Sequence, residues 1–165
     1  MPCIDRLPAI PLLASDPYLS IWMPADTMTQ TDACHWSGPA KPIRGVLTVD
    51  GAACRFLGAG PEPEADLTEL KVTATRTCFT SEFAGVRLET CFASPALPQD
   101  LDLLSMPVTL VFFRLFNRFV QFCHVMSRVI IGQDRMRRQH FILQFGTFVP
   151  QSVHYSSHNH LCFIC

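Results

Sequence analysis

Hydrophobic and polar positions alternate most clearly at two places along the chain. Ile43-Arg44-Gly45-Val46-Leu47-Thr48-Val49 runs into Asp50-Gly51, and Ala52-Ala53-Cys54-Arg55-Phe56-Leu57 leads away. Asp-Gly supplies the positive φ angles of a type I′ turn, whose twist matches paired strands, so a hairpin is predicted. A second hairpin is predicted around Ala84-Gly85, and its register follows from that two-residue turn. Phe83 faces Val86, Glu82 faces Arg87, Ser81 faces Leu88, Phe79 faces Thr90 and Cys78 faces Cys91. In this register Phe79, Phe83, Val86, Leu88 and Phe92 share one face, while the other carries an opposite-charge pair and a cysteine pair. Such cross-strand pairs contribute about 0.2–1 kcal/mol each. Counting outward from the turn, Cys78 and Cys91 fall on a non-hydrogen-bonded pair, where side chains come closest. That geometry permits a disulfide. Two reduced cysteines on a half-buried face fit it as well.

Elsewhere the pattern is less regular. Residues 1–42 are punctuated by Pro8, Pro11, Pro17, Pro24, Pro39 and Pro42, which excludes a long helix and favours extended or edge-strand backbone. Tyr18–Trp22 is the strand-like run within it. Gly58-Ala59-Gly60-Pro61-Glu62-Pro63-Glu64 reads as a linker, Gln99–Asp102 as an acidic turn, and Pro107–Phe113 as a buried strand. Beyond residue 113 apolar residues occupy all sides of a helical wheel and strand alternation lapses, apart from a candidate strand at Phe141–Val149. The predicted fold is mainly β, an incomplete antiparallel β-sandwich with an irregular or partly helical C-terminal tail.

Composition changes the picture at one position. Residues 1–110 carry seven Lys and Arg against thirteen Asp and Glu, a net of −6, while residues 111–165 carry six Arg against one Asp, a net of +5. Twelve of thirteen prolines precede residue 111, whereas nine of thirteen Phe and five of six His follow it. So abrupt a change marks a boundary near residue 110. The overall net charge of −1 gives no reason to expect a nucleic-acid partner. The most apolar stretch, Val108–Ile131, contains Arg114, Arg118 and Arg128, and a central Arg costs roughly 2.5–3.5 kcal/mol on insertion scales, so no membrane span is expected. The first residues lack the basic and apolar regions of a secretory signal.

Candidate chemistry is sparse. The end of the chain reads His154-x-x-x-His158-x-His160-x-Cys162-x-x-Cys165. Imidazoles and thiolates of His158, His160, Cys162 and Cys165 have zinc-ligand chemistry, but they lie in one short extended run, whereas structural zinc sites fold a turn between two ligand pairs. The expectation is therefore no metal and no cofactor. His35-Trp36 on a loop, with Trp22 nearby in sequence, could stack on and hydrogen-bond a small polar ligand or a glycan. Alternatively, Trp36 plugs the edge of the sandwich and His35 satisfies a loop carbonyl. Asp16, Asp26 and Asp32 read as turn-forming residues. No nucleophile elbow, phosphate loop or metalloprotease motif occurs, so no catalytic residue is assigned.

Several segments taken in order resemble one family. They are Leu7-Pro8-Ala9-Ile10-Pro11-Leu12, Asp16–Trp22, His35-Trp36-Ser37-Gly38, Val46–Gly51 and Arg55-Phe56-Leu57-Gly58, then Thr75–Thr80, Ala84–Leu88, Phe92–Pro95 and Asp100–Thr109. This order resembles the N-terminal region of the glutaminase A family, large secreted proteins of fungi and bacteria, over about residues 6–111. The resemblance implies a parent enzyme that hydrolyses L-glutamine to glutamate and ammonia, with most catalytic groups in a helical domain that follows. It divides the chain into a glutaminase-like segment at 1–58, the start of a further β-sandwich domain at 59–111, and an atypical tail at 112–165. The departure near Val111 coincides with the composition break, as a frameshift or misjoined exon would produce. On this reading the chain is a fragment, inactive alone. The alternative is a stand-alone β-sandwich module that binds a small ligand or carbohydrate.

Overall fold

A computed structural model describes residues 7–15, 20–94, 96, 98–105, 108–117, 125–131, 141–142 and 159–164. Strands dominate it: β1 (Ile10–Ala14), β2 (Ser20–Met23), β3 (Cys34–His35), β4 (Ile43–Val49), β5 (Ala52–Leu57), β6 (Asp66–Val72), β7 (Arg76–Phe83) and β8 (Val86–Ala93). One helical turn, α1 (Leu101–Ser105), stands where an acidic turn was expected, and β9 (Val108–Asn117) follows it. In the last third, β10 (Val125–Ile131), β11 (Phe141–Ile142) and β12 (Asn159–Ile164) are also strands. These tail segments are paired, and the rest of the tail expected to be irregular or partly helical lies outside the described residues. A helical wheel cannot register that free edges are available: β10 pairs along all of β4, and β12 along β9. The remainder of the Phe141–Val149 candidate strand lies outside the described residues, as do Tyr18 and Leu19 of the Tyr18–Trp22 run.

The strands form three antiparallel sheets, ordered β1-β2-β3, β11-β10-β4-β5 and β12-β9-β8-β7-β6. Both predicted hairpins are present. Asp50 and Gly51 have φ of 49° and 85°, and Ala84 and Gly85 have φ of 49° and 77°, so both turns place two successive residues in the left-handed region, as type I′ requires. The second hairpin has the predicted register throughout, from Phe83↔Val86 to Cys78↔Cys91 and on to Arg76↔Ala93. The first holds its register from Val49↔Ala52 to Val46↔Arg55 and then slips, because Gly45 pairs with Leu57. Phe56 is the extra residue of this bulge, which breaks alternation and leaves Cys54, Arg55, Phe56 and Leu57 all buried. Its ring lies over Gly45, where a Cβ would meet ring carbons at 2.5 Å. Gly45 is thus a seat for an aromatic side chain.

One apolar core joins the sheets. It draws Ile10 and Leu12 from β1, Met23 from β2, Ile43 and Leu47 from β4, Phe56 from β5, Phe79 from β7, Leu88 from β8 and Phe113 from β9. Burying each such side chain stabilises by about 1.5–3 kcal/mol. Phe56 meets Phe113 edge-on at 6.3 Å between centroids, which ties the second sheet to the third, and Phe79 stacks on Phe92 at 6.4 Å. Among the described residues no helix is long and apolar enough to cross a membrane.

Candidate functional site

The three residues singled out for ligand contact occupy the first sheet, and the pairing separates them. Ile21 pairs with His35 and Trp22 with Cys34. Directly paired residues share a face and successive residues alternate, so Trp22 and His35 stand on opposite faces. The indole Nε1–H of Trp22 donates to Ser20 Oγ at 2.8 Å. His35 and Trp36 are adjacent, with ring centroids 5.8 Å apart at a 44° tilt, and Trp36 is 63% exposed. A tight turn holds them. The His35 N–H donates to the Pro39 carbonyl at 2.8 Å, the Gly38 N–H to the His35 carbonyl at 2.9 Å, and the Ser37 N–H to His35 Nδ1 at 3.3 Å. The His35–Trp36 pair is thus a preorganised surface feature to which Trp22 cannot contribute from the far face.

Cys78 and Cys91 stand opposite each other, with Cα atoms 4.0 Å apart and the sulfurs bonded. Their disulfide lies in a groove of about 420 Å³ on the third sheet. Two cross-strand rows form its floor. One runs Lys71, Cys78, Cys91, Phe112 and the other Glu69, Thr80, Glu89, Arg114. This is the sheet face turned away from Phe79, Leu88 and Phe113, hence away from the core. Arg76, two residues before Cys78 on β7, joins the same face. Glu89 accepts from Arg87 at 2.8 Å and from Arg114 at 3.5 Å. The charged groups of β6 were not anticipated as a strand face. The cause is a second bulge, at Thr68, where Leu67 pairs with Ser81 and Glu69 with Thr80. That extra residue puts Leu67 and Leu70 out of two-residue phase. The segment's signal was therefore present but shifted midway.

The other feature that sequence reasoning missed is Arg55. The residue is buried, and it organises the stretch read as a linker. The guanidinium donates to the carbonyls of Gly60 and of Glu62, the latter at 2.6 Å, and pairs with Glu64 at 2.8 Å. The Arg55 N–H donates to the Pro63 carbonyl at 2.6 Å, and its own carbonyl accepts from Ala65 at 2.8 Å. Thr29 Oγ1 donates to the second Glu64 oxygen at 2.9 Å, and Arg44 pairs with Glu62. The Arg44 hydrogen bond holds the Glu62 carboxyl below its ordinary value. Asp32, expected to be a turn former, accepts from the Ala59 N–H at 3.3 Å. Asp26 has its N–H on Gln30 Oε1 at 3.3 Å, and Asp16 lies outside the described residues. Proline and glycine give residues 58–64 no regular structure, and a buried arginine gives them a fixed one.

Cys54 is buried in the core, which pushes its thiol up to about 11 and keeps it neutral and unreactive. No group of three or more His, Cys, Asp or Glu among the described residues could hold a metal ion. Of the C-terminal candidates, His160 and Cys162 lie on β12, while His158 and Cys165 fall outside the described residues.

Comparison with known proteins follows the same N-terminal bias. A family model described as a domain of unknown function (DUF4964) matches residues 4–68, a span from the start of the first sheet into β6. Glutaminase A of Aspergillus oryzae (strain ATCC 42149 / RIB 40) is 31% identical over 105 residues, which is 58% of this chain and 15% of that protein. The chain thus spans about one-seventh of the length of this curated relative. Its N-terminal region is glutaminase-A-related. No solved structure matches it.

Proposed function

We propose that this chain is the β-rich N-terminal portion of a glutaminase-like amidohydrolase whose full-length reaction converts L-glutamine to L-glutamate and ammonia. The observation that carries this reading is the 31% identity to glutaminase A over 105 residues. On its own the portion does not turn over substrate. Its described polar groups mostly hold loops and strands, and the contact of Ser37 Oγ with His35 Nδ1 at 2.7 Å lies in an exposed turn. The organisation proposed is a glutaminase-like segment at 1–58, the beginning of a following sandwich at 59–111 and an atypical tail at 112–165. The clasped stretch at 58–64, where the chain passes from the second sheet to the third, supports the first division, and the change of charge near residue 110 supports the second. Reading the coding DNA in the other two frames downstream of codon 111 tests the tail: family-like sandwich sequence there would establish a frame error. An ammonia-release assay with L-glutamine tests the function. The purified chain is expected to show no turnover above buffer, and robust turnover would overturn the proposal.

A second reading, a binding module for a small ligand or glycan, is favoured by the exposed, turn-held Trp36 beside His35. Saturable glycan binding in calorimetry, lost on Trp36→Ala, would support it. Identical heats from the variant would remove it.

A further inference from the structure

The groove on the third sheet is independent of the reaction proposed above. It is lined by three cations, Lys71, Arg76 and Arg114, and two carboxylates, Glu69 and Glu89. Glu89 is held by Arg114 and Arg87. Among the described residues, the side chains of Lys71 and Arg76 have no carboxylate partner. Their placement follows from the register. Lys71 stands directly across from Cys78, and Arg76 lies two positions before Cys78 on the neighbouring strand, so both head groups flank one end of the disulfide. Phe112 stands across from Cys91 on the other side. The groove therefore has a cationic end and an apolar floor of disulfide and aromatic ring. Its lining carries one surplus positive charge, three cations against two carboxylates. An anion reaching it is recruited by these two side chains locally. A volume of about 420 Å³ lies within the range of roughly 300–1,000 Å³ usual for small-molecule sites.

We propose that this groove binds a small organic carboxylate carrying an apolar or aromatic body. The carboxylate lies between Lys71 and Arg76, where the guanidinium can donate two parallel N–H bonds to its oxygens. The body lies along Phe112 and the Cys78–Cys91 disulfide.

Isothermal titration of the full chain with phenylacetate tests this, with acetate as the carboxylate without a body and phenethylamine as the same body carrying the opposite charge. Phenylacetate is expected to saturate a single site, with acetate and phenethylamine at least about tenfold weaker. The double variant Lys71→Ala, Arg76→Ala is expected to lose about tenfold or more in phenylacetate affinity while keeping the parent's melting curve, since both side chains are exposed. Lys71→Glu alone is expected to weaken binding in the same direction. An absence of saturable heat with phenylacetate would overturn the proposal. So would unchanged affinity in the double variant, or phenethylamine binding as tightly as phenylacetate.

Discussion

Arg55 and Arg87 each place a guanidinium nitrogen 2.8 Å from a glutamate oxygen, yet they do different things. The Arg87 side chain is 46% exposed and its partner Glu89 30% exposed. Arg87 also lies 5.5 Å from the centre of the Phe116 ring. Water competes for all of these groups, and an exposed pair of this kind is worth about 0–1 kcal/mol. The Arg55 side chain is 7% exposed, and besides Glu64 it holds two backbone carbonyls of the loop at residues 58–64. Ion-pair distance therefore does not distinguish them. Burial and the number of backbone groups left unsatisfied on removal do.

The largest test of that contrast is at the mouth of the clasp. Gly58 has φ of 75°, and a Cβ there would be driven into the Ile43 carbonyl oxygen. Its N–H also donates to the Met28 carbonyl at 2.7 Å. Gly58→Ala is expected to destabilise by about 3 kcal/mol, combining left-handed strain with a backbone clash, as measured by urea denaturation. Arg55→Ala comes next, at about 2–3 kcal/mol, with faster proteolysis within residues 58–64. Arg55→Lys, which keeps the charge but loses the fork, is expected to recover only part of that. An Arg55→Ala loss no greater than that of Arg87→Ala would mean that burial does not separate the two arginines.

The second turn supplies a test of opposite sign. Ala84 occupies a position of positive φ that Asn or Gly adopts more readily. Ala84→Asn is expected to stabilise by up to about 1 kcal/mol, whereas Asp50, already favoured in its turn, offers no such gain. Arg87→Ala is expected to change stability by no more than about 0.5 kcal/mol and to become silent in high salt.

Acid sharpens the same comparison. The Glu62 carboxyl sits below its ordinary 4.5 because Arg44 hydrogen-bonds its charged form. A depressed folded value means that the contribution is fully present above 4.5 and is lost as pH falls through the lower folded value. Stability measured against pH should therefore fall on that acid limb, and Glu62→Gln should flatten it.

Much of this molecule was legible in its sequence. Asp50-Gly51 and Ala84-Gly85 are local signals, and a two-residue turn propagates its register along both strands without help from the rest of the fold. That is why Cys78 could be placed opposite Cys91 from residue order alone. The candidate site was far less legible. Trp22, His35 and Trp36 are close in sequence and chemically apt, but strand alternation sends Trp22 to the face opposite His35. The groove depends on β6, whose alternation is put out of phase by the bulge at Thr68. Its charged lining comes from four strands that only tertiary pairing brings side by side.

By itself, then, the sequence determined the β character, the two hairpins and the cross-strand pairs, because these rest on turn chemistry and near-neighbour alternation, while the likeness of its front to glutaminase A rests on residue order alone. Tertiary structure decided that a Pro- and Gly-rich stretch is fixed by a buried arginine and that Phe56 covers Gly45 across a bulge. It also decided that cations from separate strands meet over a disulfide. Each of these joins residues whose proximity no local period encodes, since bulges reset the phase of a strand and burial, rather than spacing, sets what a charge is worth.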